Sequence, residues 1–408
     1  MKNKNRIICY IYFLLCQILL LANQKLEEKK DFEKIGQVFL SALPDQKRKA
    51  QPWIALGKKL YFSFDIFTDT ETLLRYQIIH CHPDWTSSEL SENTFLTGFN
   101  NSYFYPEQKK YAENNFLHYL HYQLEIPNSD LALKISGNYI LRVYENDPEK
   151  PLIQKRFVIY ETNWPIQIEK EQRYVSEHWT DILQIKAGIE QAIYPQNMFL
   201  ALMQNGDWRN YKLTKPQINP KNKEIIFTFF NRENEFIADG LFFTLDLRSW
   251  QMPSVQREKI FKNQDTWEYY LRPHERLYLG NPEKDSLQGR FLIENPLKSE
   301  YIKVFFTMNS LPHQDIYLYG ELTQWQILPE FRMQVQRNYQ YQNYAVPLIL
   351  KEGVYSYTFI YEKKEGFFEK YFSDPNNNLQ KNDYQVFLFY QNHLENFYRI
   401  QGFGIDQK

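Results

Sequence analysis

The residues best suited to chemistry cluster in one short stretch, YQIIHCHPDW at positions 76–85. His80, Cys81 and His82 are consecutive there, and Asp84 follows two residues later. Imidazole, thiolate and carboxylate groups are the ligands that zinc prefers, and a cysteine paired with a histidine is also a common nucleophile and base. The stretch therefore raises three interpretations: a metal site, a catalytic pair, or a strand whose polar residues happen to cluster.

Spacing favours the third interpretation. On a strand, His80 and His82 point to one face while Cys81 points to the other, so the thiol turns away from the adjacent imidazoles. A zinc ion would need further ligands, and His118 and His121 in FLHYLHY are the candidates. Structural zinc sites usually contain close Cys or Cys/His pairs, and distant imidazoles fit that pattern poorly. We therefore interpret the stretch as strand and turn packing, with Asp84 capping the turn.

Other chemical motifs are missing from the sequence. It has no glycine-rich phosphate loop, no G-x-S-x-G, no H-E-x-x-H and no C-x-x-C pair. Carboxylate pairs such as Asp65 with Asp69 are better explained by charged residues in solvated turns than by a glycosidase site. A formal net charge of −1 provides no basic field for nucleic acid. The sequence predicts a protein that is not an enzyme and has no cofactor, metal or catalytic residues.

The first 22 residues predict export. Lys2, Lys4 and Arg6 precede an uncharged run over residues 7–22 that ends in Ala22, which is the order of segments in a secretory signal peptide. The alternative is a transmembrane anchor, but this run is shorter than the roughly 20 apolar residues that span a bilayer. Cleavage after residue 22 leaves a mature chain with no membrane span and Cys81 as its one cysteine, so no internal disulfide can form.

Sheets dominate the expected fold. Aromatic residues make up 17% of the chain and there are only 14 glycines, a composition typical of wide, packed sheets. Apolar residues alternate with period two in NYILRVYE, YIKVFFTM and GVYSYTFIY. We predict an all-β protein of tandem immunoglobulin-like or early-set β-sandwich domains. Turn-rich breaks place the three domains at 23–163, 164–297 and 298–408.

Loops at the ends of sandwiches are the expected binding surfaces. The loop at 100–111 combines Tyr103, Phe104 and Tyr105 with charged residues, a mixture that is common in protein interfaces. We predict that these three aromatic residues bind a protein partner. The asparagine-rich loop at 374–383 is a second candidate, which we interpret as a solvent-facing turn.

Many dispersed segments resemble the type IX secretion system plug protein family. The family's pattern is matched at His80, Cys81, Asp84, Trp85, Ser88 and His121. In contrast, His82 and His118 occupy positions that the pattern leaves open. The matching segments occur in the family's order over nearly the whole mature chain. They are FSFDIF (62–67), YQIIHCHPDWTSSEL (76–90), TGF (97–99), HYQLEIPN (121–128), SGNYILRVYE (136–145), RFVIYE (156–161), QNGDWRN (204–210), NEFIADGLFFTLDLRSW (234–250), LQGRFLIEN (287–295), YIKVFFTM (301–308), DIYLYGELTQW (315–325) and LILKEGVYSYTF (348–359).

The resemblance implies a fold and a role. Such proteins are strings of immunoglobulin-like domains, exported by Bacteroidota-type bacteria to the periplasm. There they bind the outer-membrane β-barrel translocon at the inner face of the outer membrane and close its periplasmic side. The C-terminal block separately resembles early-set carbohydrate-binding modules in its order of Gly320, Trp325, Met333 and LKEGVYSYTF (350–359). A glycan-binding protein, or an accessory to a glycan-acting enzyme, is therefore the alternative function.

Overall fold

A computed structural model describes most of the chain. The described ranges are 24–44, 46, 48–113, 116–189, 194–221, 224–238, 241–263, 266–274, 287–309, 314–337, 342–372 and 382–406. The predicted signal peptide at 1–22, and most of the loop at 374–383, lie outside these ranges.

Strands carry almost all of the regular structure. The described ranges contain 31 strands, one short helix, α1 (Glu92–Phe95), and several single 3₁₀ turns. The strands are Lys29–Lys30 (β1), Ile35–Ser41 (β2), Trp53–Ala55 (β3), Leu60–Phe67 (β4), Arg75–Cys81 (β5), Leu96–Gly98 (β6), Ser102–Tyr103 (β7), Lys109–Tyr111 (β8), Tyr119–Ile126 (β9), Leu131–Leu133 (β10), Gly137–Tyr144 (β11), Ile153–Tyr160 (β12), Ile166–Val175 (β13), His178–Gly188 (β14), Met198–Gln204 (β15), Lys212–Thr214 (β16), Gln217–Lys221 (β17), Glu224–Thr228 (β18), Glu235–Ile237 (β19), Phe243–Asp246 (β20), Arg257–Lys262 (β21), Trp267–Leu271 (β22), Phe291–Leu292 (β23), Tyr301–Met308 (β24), Ile316–Tyr319 (β25), Gln334–Arg337 (β26), Gln342–Lys351 (β27), Val354–Lys364 (β28), Phe367–Lys370 (β29), Tyr384–Tyr390 (β30) and Arg399–Asp406 (β31).

The described strands form six larger sheets and one small ladder, β6–β10. Sheet I has the order β1-β12-β11-β5-β7 with β3 beside β12, and sheet II has the order β2-β4-β9-β8. Sheet III is β13-β14-β18-β17 with β19 on β14, and sheet IV is β16-β15-β30-β31. Sheet V is β20-β28-β23 with β25 and β29 on β28, and sheet VI is β21-β22-β24-β27-β26.

Each of the three main cores lies between two of these sheets. Sheets I and II enclose a core in which the rings of Phe64 and Tyr122 stack with centroids 4.8 Å apart. Sheets III and IV enclose a second core around Ile185 and Leu388. Sheets V and VI enclose a third, around Phe359. Alternate side chains of a strand point to the same side of its sheet. The period-two pattern of apolar residues in the sequence therefore gives each sheet the apolar face that packs in a core.

Sheets I and IV are also buried on their second faces. All residues of β11 and β30 are buried, and a further apolar cluster joins Ile140 and Val158 of sheet I to Met203 and Phe387 of sheet IV. Strands buried on both faces need apolar residues at successive positions rather than at alternate ones. Sheet I is thus packed between sheets II and IV, and independent sandwiches do not occur here.

Further contacts continue this series of facing sheets. Sheet II meets sheet VI through Asp65 and Lys351, whose Oδ2 and Nζ atoms are 2.5 Å apart. Sheet III meets sheet V where His178 Nε2 lies 3.6 Å from Glu369 Oε1. Sheets II, I, IV, III, V and VI therefore follow one another as the blades of a six-bladed β-propeller. The all-β prediction agrees with this arrangement, but the prediction of tandem immunoglobulin-like or early-set sandwiches is wrong.

The path of the chain explains the error. Strand β15 pairs with β30, placing Leu200 opposite Leu388, and β20 pairs with β28, placing Phe243 opposite Tyr357. The boundary expected between residues 297 and 298 therefore cuts through sheets IV, V and VI. Turn-rich segments mark where strands end, but pairings between distant strands decide which sheet each strand joins.

Candidate functional site

The histidine–cysteine stretch lies at the end of β5, where Cys81 faces sheet IV and His80 packs on the opposite face of sheet I against Phe95 and Tyr139. His80 is 3% exposed, and its Nδ1 atom is 2.7 Å from Ser88 Oγ. Burial lowers the pKa of His80 to about 3, helped by the nearby His82. Its Nε2 atom faces Gly137, where a Cβ atom would be only 2.6 Å away. The imidazole is thus a neutral, packed ring whose neighbour has to be glycine.

The thiol of Cys81 is buried as well. Burial raises its pKa to about 12, so the reactive thiolate is strongly disfavoured. The side chain packs in the apolar cluster between sheets I and IV, close to Trp85. The prediction that Cys81 lies on a strand and turns away from the adjacent imidazoles is confirmed, and the surroundings do not activate the thiol as a nucleophile.

The turn after β5 has a structural role. The carboxylate of Asp84 accepts hydrogen bonds from the backbone N–H of Thr86 at 3.0 Å and from its hydroxyl at 2.7 Å, which confirms the predicted cap. Trp85 then adopts a positive φ of 71° and buries its ring. That ring packs edge-on against Trp208, with centroids 5.1 Å apart, and the guanidinium of Arg156 lies 4.8 Å from its centroid.

The other candidate zinc ligands lie apart from this turn. His118 is exposed and pairs with Asp69 at 2.8 Å, whereas His121 is buried and pairs with Asp65 at 2.5 Å. Within the described ranges, no three His, Cys, Asp or Glu side chains form a group able to hold a metal ion. The structure therefore separates the histidines that the sequence placed together.

Asp65 is the centre of a buried polar cluster between sheets II and VI. It is fully buried and accepts hydrogen bonds from His121 Nδ1, Lys351 Nζ and the hydroxyl of Tyr301. Burial alone would raise the pKa of Asp65, but the charges of Lys351 and His121 hold it below its usual value. Burial likewise lowers the pKa of Lys351. Because solvent cannot reach the cluster, its role is to hold two blades together.

The three aromatic residues predicted as a binding site are separated by strand geometry. Phe104 is 3% exposed and packs in the first core against the rings of Phe64, Tyr76 and Tyr122. It is therefore not available to a partner. Tyr103 and Tyr105 are 36% and 43% exposed on either side of it.

Phe99 completes an exposed aromatic patch, which we define as Phe99, Tyr103 and Tyr105. Phe99 is 79% exposed, and its backbone N–H donates to the carbonyl of Asp130 at 2.8 Å. The carboxylate of Asp130 also bonds the hydroxyl of Tyr105 and raises its pKa. Phe99 was not singled out from the sequence, although an aromatic residue after Gly98 (φ +95°) in a turn is a usable signal.

The aromatic patch is held on the outer edge of sheet I. Tyr103 belongs to β7, the last strand of that sheet, and pairs with Arg75. The guanidinium carbon of Arg75 lies 4.2 Å from the Tyr103 ring centroid, and its Nη2 donates to the Tyr103 hydroxyl. Exposed rings with fixed positions and adjacent charges are typical of protein interfaces.

A groove of about 650 Å³ opens on another side of sheet I. Its walls include Trp85 from sheet I, Trp208 from the turn after β15 and Trp325 from the turn after β25. All three indoles are at most 6% exposed, so their faces are covered by neighbours. The segment from Lys25 to Glu28 lies along the groove, where Arg156 donates two hydrogen bonds to the carbonyl of Leu26.

The fold of this chain occurs in another solved structure. A solved structure described as a hypothetical protein from Parabacteroides merdae ATCC 43184 has the same fold, with a TM-score of 0.79 and 21% identity. The similarity covers 95% of this chain and 100% of that one. No curated protein matches the chain.

The described residues contain no helix that is both long and apolar enough to span a membrane.

Residues 39–161 match the sequence profile of the Type 9 secretion system plug protein 1st domain. That segment contains both the histidine–cysteine stretch and the aromatic patch, and most of sheets I and II. Residues 39–161 are therefore similar to the first domain of the type 9 secretion system plug proteins.

Proposed function

We propose that the protein is a non-enzymatic periplasmic plug. It binds the outer-membrane β-barrel translocon of the type IX secretion system and closes the periplasmic side of its pore. The observation that carries this proposal is the match of residues 39–161 to the plug family. The family implies a periplasmic position near the outer membrane and a translocon as partner.

The fold has the rigidity that a plug requires. Sheets I and IV are buried on both faces, so the cores on either side of them cannot move independently without exposing apolar surface. Close-packed interiors of this kind resist deformation. The buried cluster around Asp65 adds polar bonds between sheets II and VI. A ring of sheets joined in this way supplies breadth and stiffness.

The aromatic patch is the proposed contact with the translocon. Phe99, Tyr103 and Tyr105 are exposed and lie within the segment that matches the family. A plug has to leave when cargo passes, so we expect a reversible interface of standard size, about 1,600 Å² in total. In such interfaces a few aromatic anchors supply most of the binding free energy.

The residues that could carry out catalysis serve packing instead. His80 and Cys81 are buried, and burial shifts both pKa values away from the range useful for catalysis at neutral pH. The glycan-binding alternative relied on Trp325, but that indole is 5% exposed and packs edge-on against Tyr319 at 5.3 Å. A sugar would need an open aromatic face, so Trp325 gives no support to the alternative.

Affinity purification from the native host's outer membranes tests the proposal. We expect tagged protein to recover a very large β-barrel protein. The triple variant Phe99→Ala, Tyr103→Ala, Tyr105→Ala should recover several-fold less barrel protein. Phe230→Ala is the matched control, because Phe230 is 73% exposed but follows β18 in sheet III. It should bind the barrel as well as the unmodified protein does.

A strain that lacks the gene gives a second test. Its outer membrane should admit large solutes through the open translocon, and the triple variant should restore closure only in part. Normal permeability of the deletion strain, together with a purified protein that ignores the barrel but is retained on a glucan matrix, would refute the plug and favour the glycan-binding alternative.

A further inference from the structure

A small cavity lies where sheets I, II, IV and V meet. Its volume is about 20 Å³. Lys155 of sheet I lines it, together with Gly206 from the turn after β15, Arg290 from just before β23, and Glu321 from the turn after β25. A single cavity is therefore walled by several blades of the ring.

Two buried polar atoms have no protein partner at this place. Arg290 is 2% exposed and Glu321 is 9% exposed, and among the described residues neither Arg290 Nη1 nor Glu321 Oε2 makes a hydrogen bond. The other donors of Arg290 are engaged: Nε bonds the carbonyl of Leu287, and Nη2 bonds Asp383 at 2.5 Å. Nη1 lies 3.7 Å from the position that a Cβ atom on Gly206 would take, which directs it toward the cavity wall.

The charges around the cavity restrict its ligand. The Arg290 guanidinium and the Lys155 ammonium repel a cation, while the Glu321 carboxylate repels an anion when it is ionised. Lys155 is already bonded to Glu28 at 2.8 Å and to Gln324 at 2.9 Å. A neutral molecule that both accepts and donates hydrogen bonds is the one that satisfies both free atoms. A volume of about 20 Å³ accommodates one water molecule and nothing larger.

We propose that this cavity is the binding site of one internal water molecule. The water accepts a hydrogen bond from Arg290 Nη1 and donates one to Glu321 Oε2. Arg290 is itself bonded to Asp383, which precedes β30 of sheet IV, so the water extends a polar network that joins sheets IV and V. This inference does not depend on the proposed function.

Magnetic relaxation dispersion of water nuclei tests the proposal, because it counts water molecules held inside a protein for longer than the tumbling time. The full-length protein and Glu321→Gln, which keeps a polar group in place, should show the same number of long-lived waters. Glu321→Leu, which cannot bond a water, should show one fewer. Equal counts for all three proteins would overturn the proposal.

A crystal structure of the unmodified protein gives an independent answer even if Glu321→Leu fails to fold. We expect a density peak within hydrogen-bond distance of both Arg290 Nη1 and Glu321 Oε2. A direct bond between these two side chains, or a well-resolved cavity without such a peak, would refute the assignment.

Discussion

Burial decides what each reactive residue in this protein can do. Cys81 and His80 have the side chains of a catalytic pair, but both are buried and on opposite faces of β5: Cys81 lies between sheets I and IV, and His80 packs against Phe95 and Tyr139. The sequence predicted the opposite directions of neighbouring side chains on β5 and the turn cap at Asp84, since both depend on local geometry. It did not predict that Phe104 is buried, although the same alternation separates Phe104 from Tyr103 and Tyr105.

The thiol of Cys81 should react slowly in the folded protein. Its pKa is raised to about 12 by burial, so almost no thiolate exists at pH 8, and reagents cannot reach the sulfur. With a chain that starts at residue 23, we expect negligible reaction with a disulfide reagent over minutes in buffer. One equivalent should react rapidly after unfolding in guanidinium chloride. Rapid stoichiometric labelling of the folded protein would contradict this expectation.

Trp85→Ala should be strongly destabilising. The Trp85 ring is buried against Trp208 and covered by Arg156, so truncation leaves a large cavity and costs about 3–5 kcal/mol of unfolding free energy. His82→Ala is the matched control in the same turn, since His82 is only half-buried. It should change stability by less than about 1 kcal/mol. Urea unfolding followed by circular dichroism measures both, and equal losses would disprove the structural role of the ring.

At the scale of strands and sheets, alternation identifies a strand but not its partners. YIKVFFTM became β24 and GVYSYTFIY gave most of β28, as their patterns predicted. In NYILRVYE the positions expected to face solvent are buried too, because sheet IV covers the second face of sheet I. The sheet that covers such a face is built from strands in a distant part of the chain, so it cannot be predicted from the local sequence.

Burial in a contact between sheets also determines how much an ion pair contributes to the free energy of unfolding. Lys351→Met removes the cation that balances Asp65, leaving a fully buried carboxylate short of its main charge partner. We expect a loss of about 3–5 kcal/mol in unfolding free energy. Lys59→Met breaks the Lys59–Glu125 pair, in which both side chains are at least half exposed, and should leave the free energy of unfolding nearly unchanged because solvent screens such a pair. Similar losses for the two variants in urea titrations would show that the Asp65 cluster does not hold sheets II and VI together.

At the scale of the whole molecule, the chain closes its ring with strands that are far apart in sequence. Sheet IV combines β15 and β16 with β30 and β31, so its formation waits for the last residues described. The three expected blocks followed turn-rich segments, which are local features. The ring arrangement depends instead on which sheet faces pack together, and this long-range information is why the sequence predicted an all-β class but the wrong architecture.

The free energy of unfolding should depend on pH because of Glu321, which lies where sheets I, II, IV and V meet. Burial raises the pKa of Glu321 to about 7, above the usual value near 4.5, so the folded state binds a proton that the unfolded state has already lost. This stabilisation is fully present below about pH 4.5 and is lost as pH rises through about 7.

Glu321→Gln isolates this effect from the buried histidines. Burial lowers the pKa of His80 to about 3 and of His274 to about 4, so these residues destabilise the fold as pH falls below 6.5. Both proteins share that term, and it cancels in their difference. We expect the unmodified protein to lose up to about 3 kcal/mol of unfolding free energy relative to Glu321→Gln between pH 5 and pH 8. Chemical unfolding at several pH values measures the difference, and a difference that stays constant over that range would show that Glu321 does not titrate at the junction.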